Sequence, residues 1–320
     1  MSATRVPGPL GLEDYTEIVP AMTAGSLGMA DCADPDIHSE VGDSAGVAGL
    51  LGGGTGPGIV QPISMPMMPV VVTAAPANTL TPERYARRYR NLEIPFVESD
   101  SGVSSRLTID MHRYGNNGIP GRRSNMGEKD RLVSLVKAEL RRRGEADSQQ
   151  VQPDHVKRIA HAFFAKGRPE DYALALVHAL RFGRTQPGSL QHYCDTTAKL
   201  GLDCSGFVNN FLLEIGKISE PRTISTYGRG RLRQRTEEVQ PLDVLLWLEN
   251  DGSAGGHIAI VDSIGPDSGA MRVVESSGSK KGLASTVYRV LEARNGVFRV
   301  DRGPKANGEP STSWVKIAAV

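Results

Sequence analysis

The residue with the clearest chemistry is Cys204, in the run LGLDCSGFVNNFLLEIG. Phe207, Val208, Phe211, Leu212 and Ile215 recur after it at helical spacing. Counting back three and four residues from Phe207 and Val208 puts the thiol on the same inward face, in the first turn. There it meets the unpaired N–H groups and the positive end of the helix, which favour thiolate by ~0.3–1 kcal/mol when exposed and up to ~2 kcal/mol when partly buried. That alone does not make a strong nucleophile, whereas an adjacent imidazolium can lower a cysteine pKa to ~3–4. The chemistry therefore requires a histidine. Asp203, directly before the thiol, would raise its pKa by repulsion unless the carboxylate is engaged elsewhere. It is expected to cap the helix amides or to pair with a base such as Arg222.

Of seven histidines, only His257 lies in a strand-like run, GGHIAIVDSI, directly after a Gly pair that lets backbone approach closely. The next run, MRVVESSG, follows the turn sequence GPDSG, so the two are expected to form a hairpin. Centring the turn on Pro266 makes paired residue numbers sum to 532, and 257 plus 275 is 532. His257 and Glu275 would then be direct cross-strand neighbours, with Cβ atoms ~4.5–5.5 Å apart. A carboxylate there can accept a ring N–H, fix the tautomer and support the imidazolium. A slip of one residue would present Ser276 instead.

These blocks resemble a known family. LDCSGFV is similar to the nucleophile motif of the NlpC-type cell-wall peptidases, papain-like cysteine hydrolases that cut peptidoglycan stem peptides. PRTIST (221–226), VQPLDVLLW and GGHIAIV follow in that family's order, the second standing where the family has a Pro-Gly-Asp strand start. GGHIAIVDSI followed by VVES also resembles the related CHAP amidases, whose third catalytic position is often Glu. The resemblance implies Cys204 as nucleophile, His257 as general base and Glu275 as orienting residue. It also implies a role for Tyr193, eleven residues before the thiol, where many members carry a tyrosine directed at the active site. Tyr193, Asp203 and Ser276 are thus supporting or oxyanion candidates. The chain departs from the family in two places: CDTTAK replaces the usual Trp-Gly-Gly stretch, and Leu242 replaces the Gly of the strand start. The match covers about residues 185–300.

The elements that must position these groups are legible in outline. Residues 1–80 mix Ala, Gly, Pro, Met and Ser without helical or strand periodicity, and carry one base against eight acids, a balance of −7; with +1 overall, the rest must be +8. This segment reads as a disordered, solvated acidic leader. TPERYARRYRNL starts a helix with Pro82 in its first turn, and an irregular Gly- and Asn-rich stretch then runs to about Gly127. Three amphipathic helices follow, EKDRLVSLVKAELRRRG, PDHVKRIAHAFFAKG and PEDYALALVHALRFG; His161 and His178 within them read as packing residues. Beyond the Cys204 helix come strand-like runs DVLLWL, HIAIVDSI, MRVVE, GVFRV and SWVKIAA.

Three cysteines are too few and too odd for a disulfide framework; Cys32 and Cys194 read as inert, although a Cys194–Cys204 bridge would abolish activity if it formed. RGRLRQR, with Arg229, Arg231, Arg233 and Arg235, reads as a solvated basic loop, with binding of phosphates or glycan carboxylates as its functional alternative. No aromatic set interleaves these arginines, so no nucleic-acid partner is expected, and no metal or cofactor spacing is present. The N-terminus lacks the basic and apolar regions of a signal peptide, and no uninterrupted apolar run is long enough to span a membrane.

The expected fold is α+β: a papain-like cysteine hydrolase domain over 185–320, its nucleophile helix packed on an antiparallel sheet, after a leader (1–80) and a helical accessory region (81–184). The function implied by resemblance is hydrolysis of peptidoglycan peptide bonds. The product would be cytoplasmic as synthesised and exported by a dedicated secretion system, with a secretion or immunity partner. The alternatives are an intracellular cysteine amidase or protease on other substrates, and a catalytically silent interaction module.

Overall fold

The computed structural model describes residues 80–97, 104–115, 125–142, 151–249, 252, 254–266 and 269–320. Of the leader, only Leu80 is among them; Cys32, the leader acids and Gly144, the expected stop of the first of the three helices, lie outside.

Helix α1 (Pro82–Arg90) starts as the sequence predicts. Thr81 is its N-cap and accepts from the Arg84 N–H at 3.3 Å, Pro82 opens it, and Arg87, Arg88 and Arg90 lie in its last turn. Strands β1 (Leu92–Val97) and β2 (Ser104–Ile109) then form an antiparallel hairpin within the stretch expected to be irregular. Pro95 interrupts the strand pattern of β1, and a two-stranded sheet tolerates it because every strand is an edge. Helices α2 (Met126–Arg142), α3 (Val151–Phe163) and α4 (Pro169–Arg181) match the three predicted ones. Gly183, at φ +63°, ends the last, as a residue free to enter the left-handed region should.

After α5 (Cys204–Glu214) and the short α6 (Ile224–Gly228), six strands follow: β3 (Val244–Leu248), β4 (Ala254–Ile264), β5 (Ala270–Ser277), β6 (Gly282–Arg294), β7 (Val297–Pro304) and β8 (Pro310–Ala318). Each pairs antiparallel with the next, and β3 pairs back to β8, so the sheet closes into a barrel rather than staying open. The protein is therefore mixed α and β with antiparallel sheets. β6 is one strand more than the sequence predicts.

Period-2 alternation divides the strand residues between two cores. Leu245, Ala259, Val273, Phe298, Val315 and Ile317 fill the barrel interior. Val244, Leu246, Ile258, Ile260 and Val274 point outward and join a second core built on the helices. There α5 lies across β4 and β5. Tyr85 and Tyr89 of α1 pack with Phe207 and Phe211 of α5, at ring separations of 5.7–6.3 Å, and Tyr89 also meets Tyr172 of α4 at 5.9 Å. This core runs without a break across residue 185. Among the described residues, no helix is long and apolar enough to cross a membrane.

Candidate functional site

Cys204 is the first residue of α5 and is fully buried. Asp203 is the N-cap, with φ −88° and ψ 167°, and its Oδ1 accepts from the Gly206 N–H at 2.5 Å. Its Oδ2 meets Lys166 Nζ at 2.5 Å, and the same ammonium donates to Ser205 Oγ at 2.6 Å. The carboxylate beside the thiol is thus engaged twice, as the chemistry requires. Its cation is Lys166 and not Arg222, whose guanidinium lies over the Tyr227 ring at 5.9 Å.

The turn after α3 is what holds this helix start. The Asp203 N–H donates to the Ala165 carbonyl at 3.1 Å, and Asn210 Nδ2 donates to the Lys166 and Gly167 carbonyls at 3.0 and 2.8 Å. The approach is so close that a Cβ on Gly206 would lie 2.6 Å from the Ala165 oxygen. Gly206 is needed for contact, not for conformational freedom.

His257 stands near the start of β4, where a bulge opposite Leu246–Leu248 takes Gly256 to φ +72°. The Gly pair therefore serves the bulge, which re-aims the following side chain. His257 Nε2 and Glu275 Oε2 are 2.8 Å apart, so the predicted pair forms. The predicted register does not. Ile260 pairs with Val274, giving a sum of 534 instead of 532, which sets Glu275 level with Ala259 and makes His257 its diagonal neighbour. An error of two residues preserves the face, and a diagonal remains within reach of long side chains.

The surroundings of the pair come from strands distant in the chain. Glu275 is fully buried; Tyr288 donates to its Oε1 at 2.5 Å and Arg302 to its Oε2 at 3.0 Å. The Trp247 ring meets the imidazole edge to face at 4.5 Å, and the Arg302 guanidinium lies over that indole at 4.8 Å. Burial alone would push the Glu275 carboxyl up, but Arg302, His257 and Tyr288 together outweigh it and hold the group well below the usual carboxylate range. Tyr288 moves the opposite way: burial, then the Glu275 charge, raise its phenol well above the ordinary value. Arg302 has a visible signal, because Phe298, Val300 and Arg302 continue one period-2 face past the end of the run GVFRV. Tyr288 has none, since the register shift between Val290 and Glu292 breaks the alternation of its strand.

The remaining candidates are placed elsewhere. The Tyr193 hydroxyl donates to Glu128 Oε1 at 2.8 Å, a carboxylate also held by Arg184, and burial then this carboxylate raise its pKa. It lines an open cavity of about 350 Å³ with Arg184, Gln186, His192 and Thr197. Ser276, one residue beyond Glu275, donates to the Leu202 carbonyl at 2.5 Å and ties β5 to the segment leading into Cys204. Cys194 and Cys204 form no disulfide with each other, and burial pushes Cys194 up to about 12. In the basic loop, Arg229, Arg231 and Arg235 are exposed, while Arg233 forms a two-pronged ion pair with Asp243 at 2.8 Å. His178 is buried and stacks on Phe182 at 5.7 Å, a packing role.

Among the described residues, no three of His, Cys, Asp and Glu cluster as metal ligands. The structure thus joins His257 to Glu275 and lays the helix headed by Cys204 across the strands that carry them. Compared with known families, curated proteins and solved structures, the chain matches none: no family model, no curated protein and no solved structure is similar to it.

Proposed function

We propose that this chain is a cysteine-dependent amide hydrolase with a papain-like domain, acting on the stem peptides of bacterial peptidoglycan. The observation that carries the reading is the buried His257–Glu275 hydrogen bond on the two strands packed against the helix that Cys204 begins. With Nε2 committed to Glu275, Nδ1 is the ring atom that takes the thiol proton. The thiolate Sγ attacks the amide carbonyl carbon, and His257 returns the proton to the leaving nitrogen as the C–N bond breaks. Water, deprotonated by the same ring, then cleaves the thioester and releases the acid. The Cys204 N–H, at the head of the helix, is one donor for the developing oxyanion.

Backbone geometry at Leu242 also supports the resemblance. This residue replaces the glycine of the Pro-Gly-Asp strand start, yet it holds φ +75°, a region that favours glycine. The chain retains a glycine-like conformation without the residue. The peptidoglycan substrate, an exported effector role and an immunity partner rest on the resemblance alone.

A second reading is favoured by burial: Cys204 is 0% and His257 2% exposed, so substrate needs an opening motion to reach them. A chain that never opens would use this fold as an interaction module. Purified sacculi incubated with wild type and with Cys204→Ala, and analysed by mass spectrometry, separate the two. Soluble muropeptides released by wild type and not by the variant are expected. Intact sacculi with both proteins would refute wall hydrolysis, and activity confined to other amides would move the reading to a non-wall amidase.

A further inference from the structure

Arg302 is 1% exposed, yet it sits among the groups that define the His257 side chain. It donates to Glu275 Oε2 at 3.0 Å, the same oxygen that His257 Nε2 meets at 2.8 Å. Its Nε donates to the Tyr288 hydroxyl at 3.2 Å and its terminal nitrogen to Ser279 Oγ at 3.2 Å. Three elements thus close on one carboxylate, His257 from β4, Tyr288 from β6 and Arg302 from β7, while the uncharged Trp247 of β3 packs against the imidazole and the guanidinium. Lys280, in the turn after β5, also feels the Glu275 charge, but it is partly open to solvent and donates to the Arg302 carbonyl at 3.0 Å.

A carboxyl buried to this degree without a cation takes up a proton near neutral pH. Protonated Glu275 would be a donor toward Nε2. The ring hydrogen would then have to sit on Nδ1, and a ring in that tautomer has no free nitrogen to accept a proton from a thiol. We infer that Arg302 is a positioning residue: it keeps Glu275 a hydrogen-bond acceptor and thereby holds His257 in the Nε2–H tautomer with Nδ1 open as the base. Its catalytic meaning rests on the cysteine-hydrolase reading above. The tautomer assignment does not.

The test uses the full chain with ¹⁵N-histidine, following the His257 ring by long-range proton–nitrogen spectra from pH 5 to 9. Wild type is expected as the neutral Nε2–H form at pH 7. Arg302→Gln, which keeps hydrogen-bonding capacity and removes the charge, is expected to show Nδ1–H at pH 7 and to revert as pH rises and Glu275 ionises. Arg302→Lys is expected to stay Nε2–H, as is Tyr288→Phe, which removes a donor but leaves the cation. Alkylation of Cys204 by iodoacetamide should fall by about tenfold or more at pH 7 in Arg302→Gln and recover toward pH 9, since a wrong tautomer is costly to a histidine base. An unchanged tautomer in Arg302→Gln, a flip in Arg302→Lys or Tyr288→Phe, or an alkylation loss equal at every pH would overturn the inference. If Arg302→Gln does not fold, the lysine and phenylalanine variants carry the test. A wild-type Cys204 whose alkylation ignores His257 sinks the nucleophile reading alone, because the tautomer is read from the ring itself.

Discussion

Glu275 is held ionised inside the barrel by a cation and two hydrogen-bonding rings, which ties the stability of the fold to pH. An unfolded chain presents this carboxyl with a pKa of about 4.3, while the folded value lies lower, so between the two the unfolded state binds the extra proton. The stabilisation is therefore complete above about pH 4.3 and is lost as pH falls through the folded value. Glu275→Gln is expected to be less stable than wild type at pH 7 and to show a flatter loss of stability below pH 4.3, read from urea midpoints between pH 2 and 7. A parallel decline in both proteins would assign the acid sensitivity to other carboxylates. The His257–Glu275 pair was legible at this scale because face depends only on parity. For Arg302 the alternation gives the face but not the partner, and for Lys166 it gives neither, since both reach their carboxylates across the fold.

At the scale of elements, the start of α5 depends on a close backbone contact that allows no side chain at position 206. Gly206→Ala places its methyl 2.6 Å from the Ala165 backbone oxygen and 2.8 Å from Asp203 Oδ1, the atom that caps the helix. It is expected to destabilise the fold by about 1–3 kcal/mol through overpacking and to lower Cys204-dependent activity by displacing the cap. Thermal unfolding together with the sacculus assay checks this, and wild-type stability in the variant would count against the contact. The helices were readable from period and caps, because each hydrogen-bonds within itself. The β1–β2 hairpin was hidden by Pro95, and β6 by the register shift between Val290 and Glu292, which breaks the alternation that marks a strand.

For the whole molecule, the continuous outer core gives residues 81–184 a defined task. Tyr85, Tyr89, Phe163 and Tyr172 belong to the same core as Phe207 and Phe211, and the Tyr172 hydroxyl donates to the Gly201 carbonyl at 2.5 Å, just ahead of the thiol. Burying each such aromatic contributes about 1.5–3 kcal/mol, so a fragment of residues 185–320 is expected to lack a cooperative unfolding transition and to bind a hydrophobic dye. A sharp transition with native near-ultraviolet dichroism would show that the barrel and α5 stand alone. By itself, the sequence determined the helices, most barrel strands, the head position of Cys204 and the shared face of His257 and Glu275, all consequences of local periodicity and capping. Only the tertiary structure decided that β3 returns to β8, that Lys166 neutralises Asp203, that Tyr193 serves Glu128, and that Arg302 lies beneath the pair. Those outcomes come from contacts between residues distant in the chain, selected by where a buried charge or hydroxyl finds its partner, and periodicity carries no record of that choice.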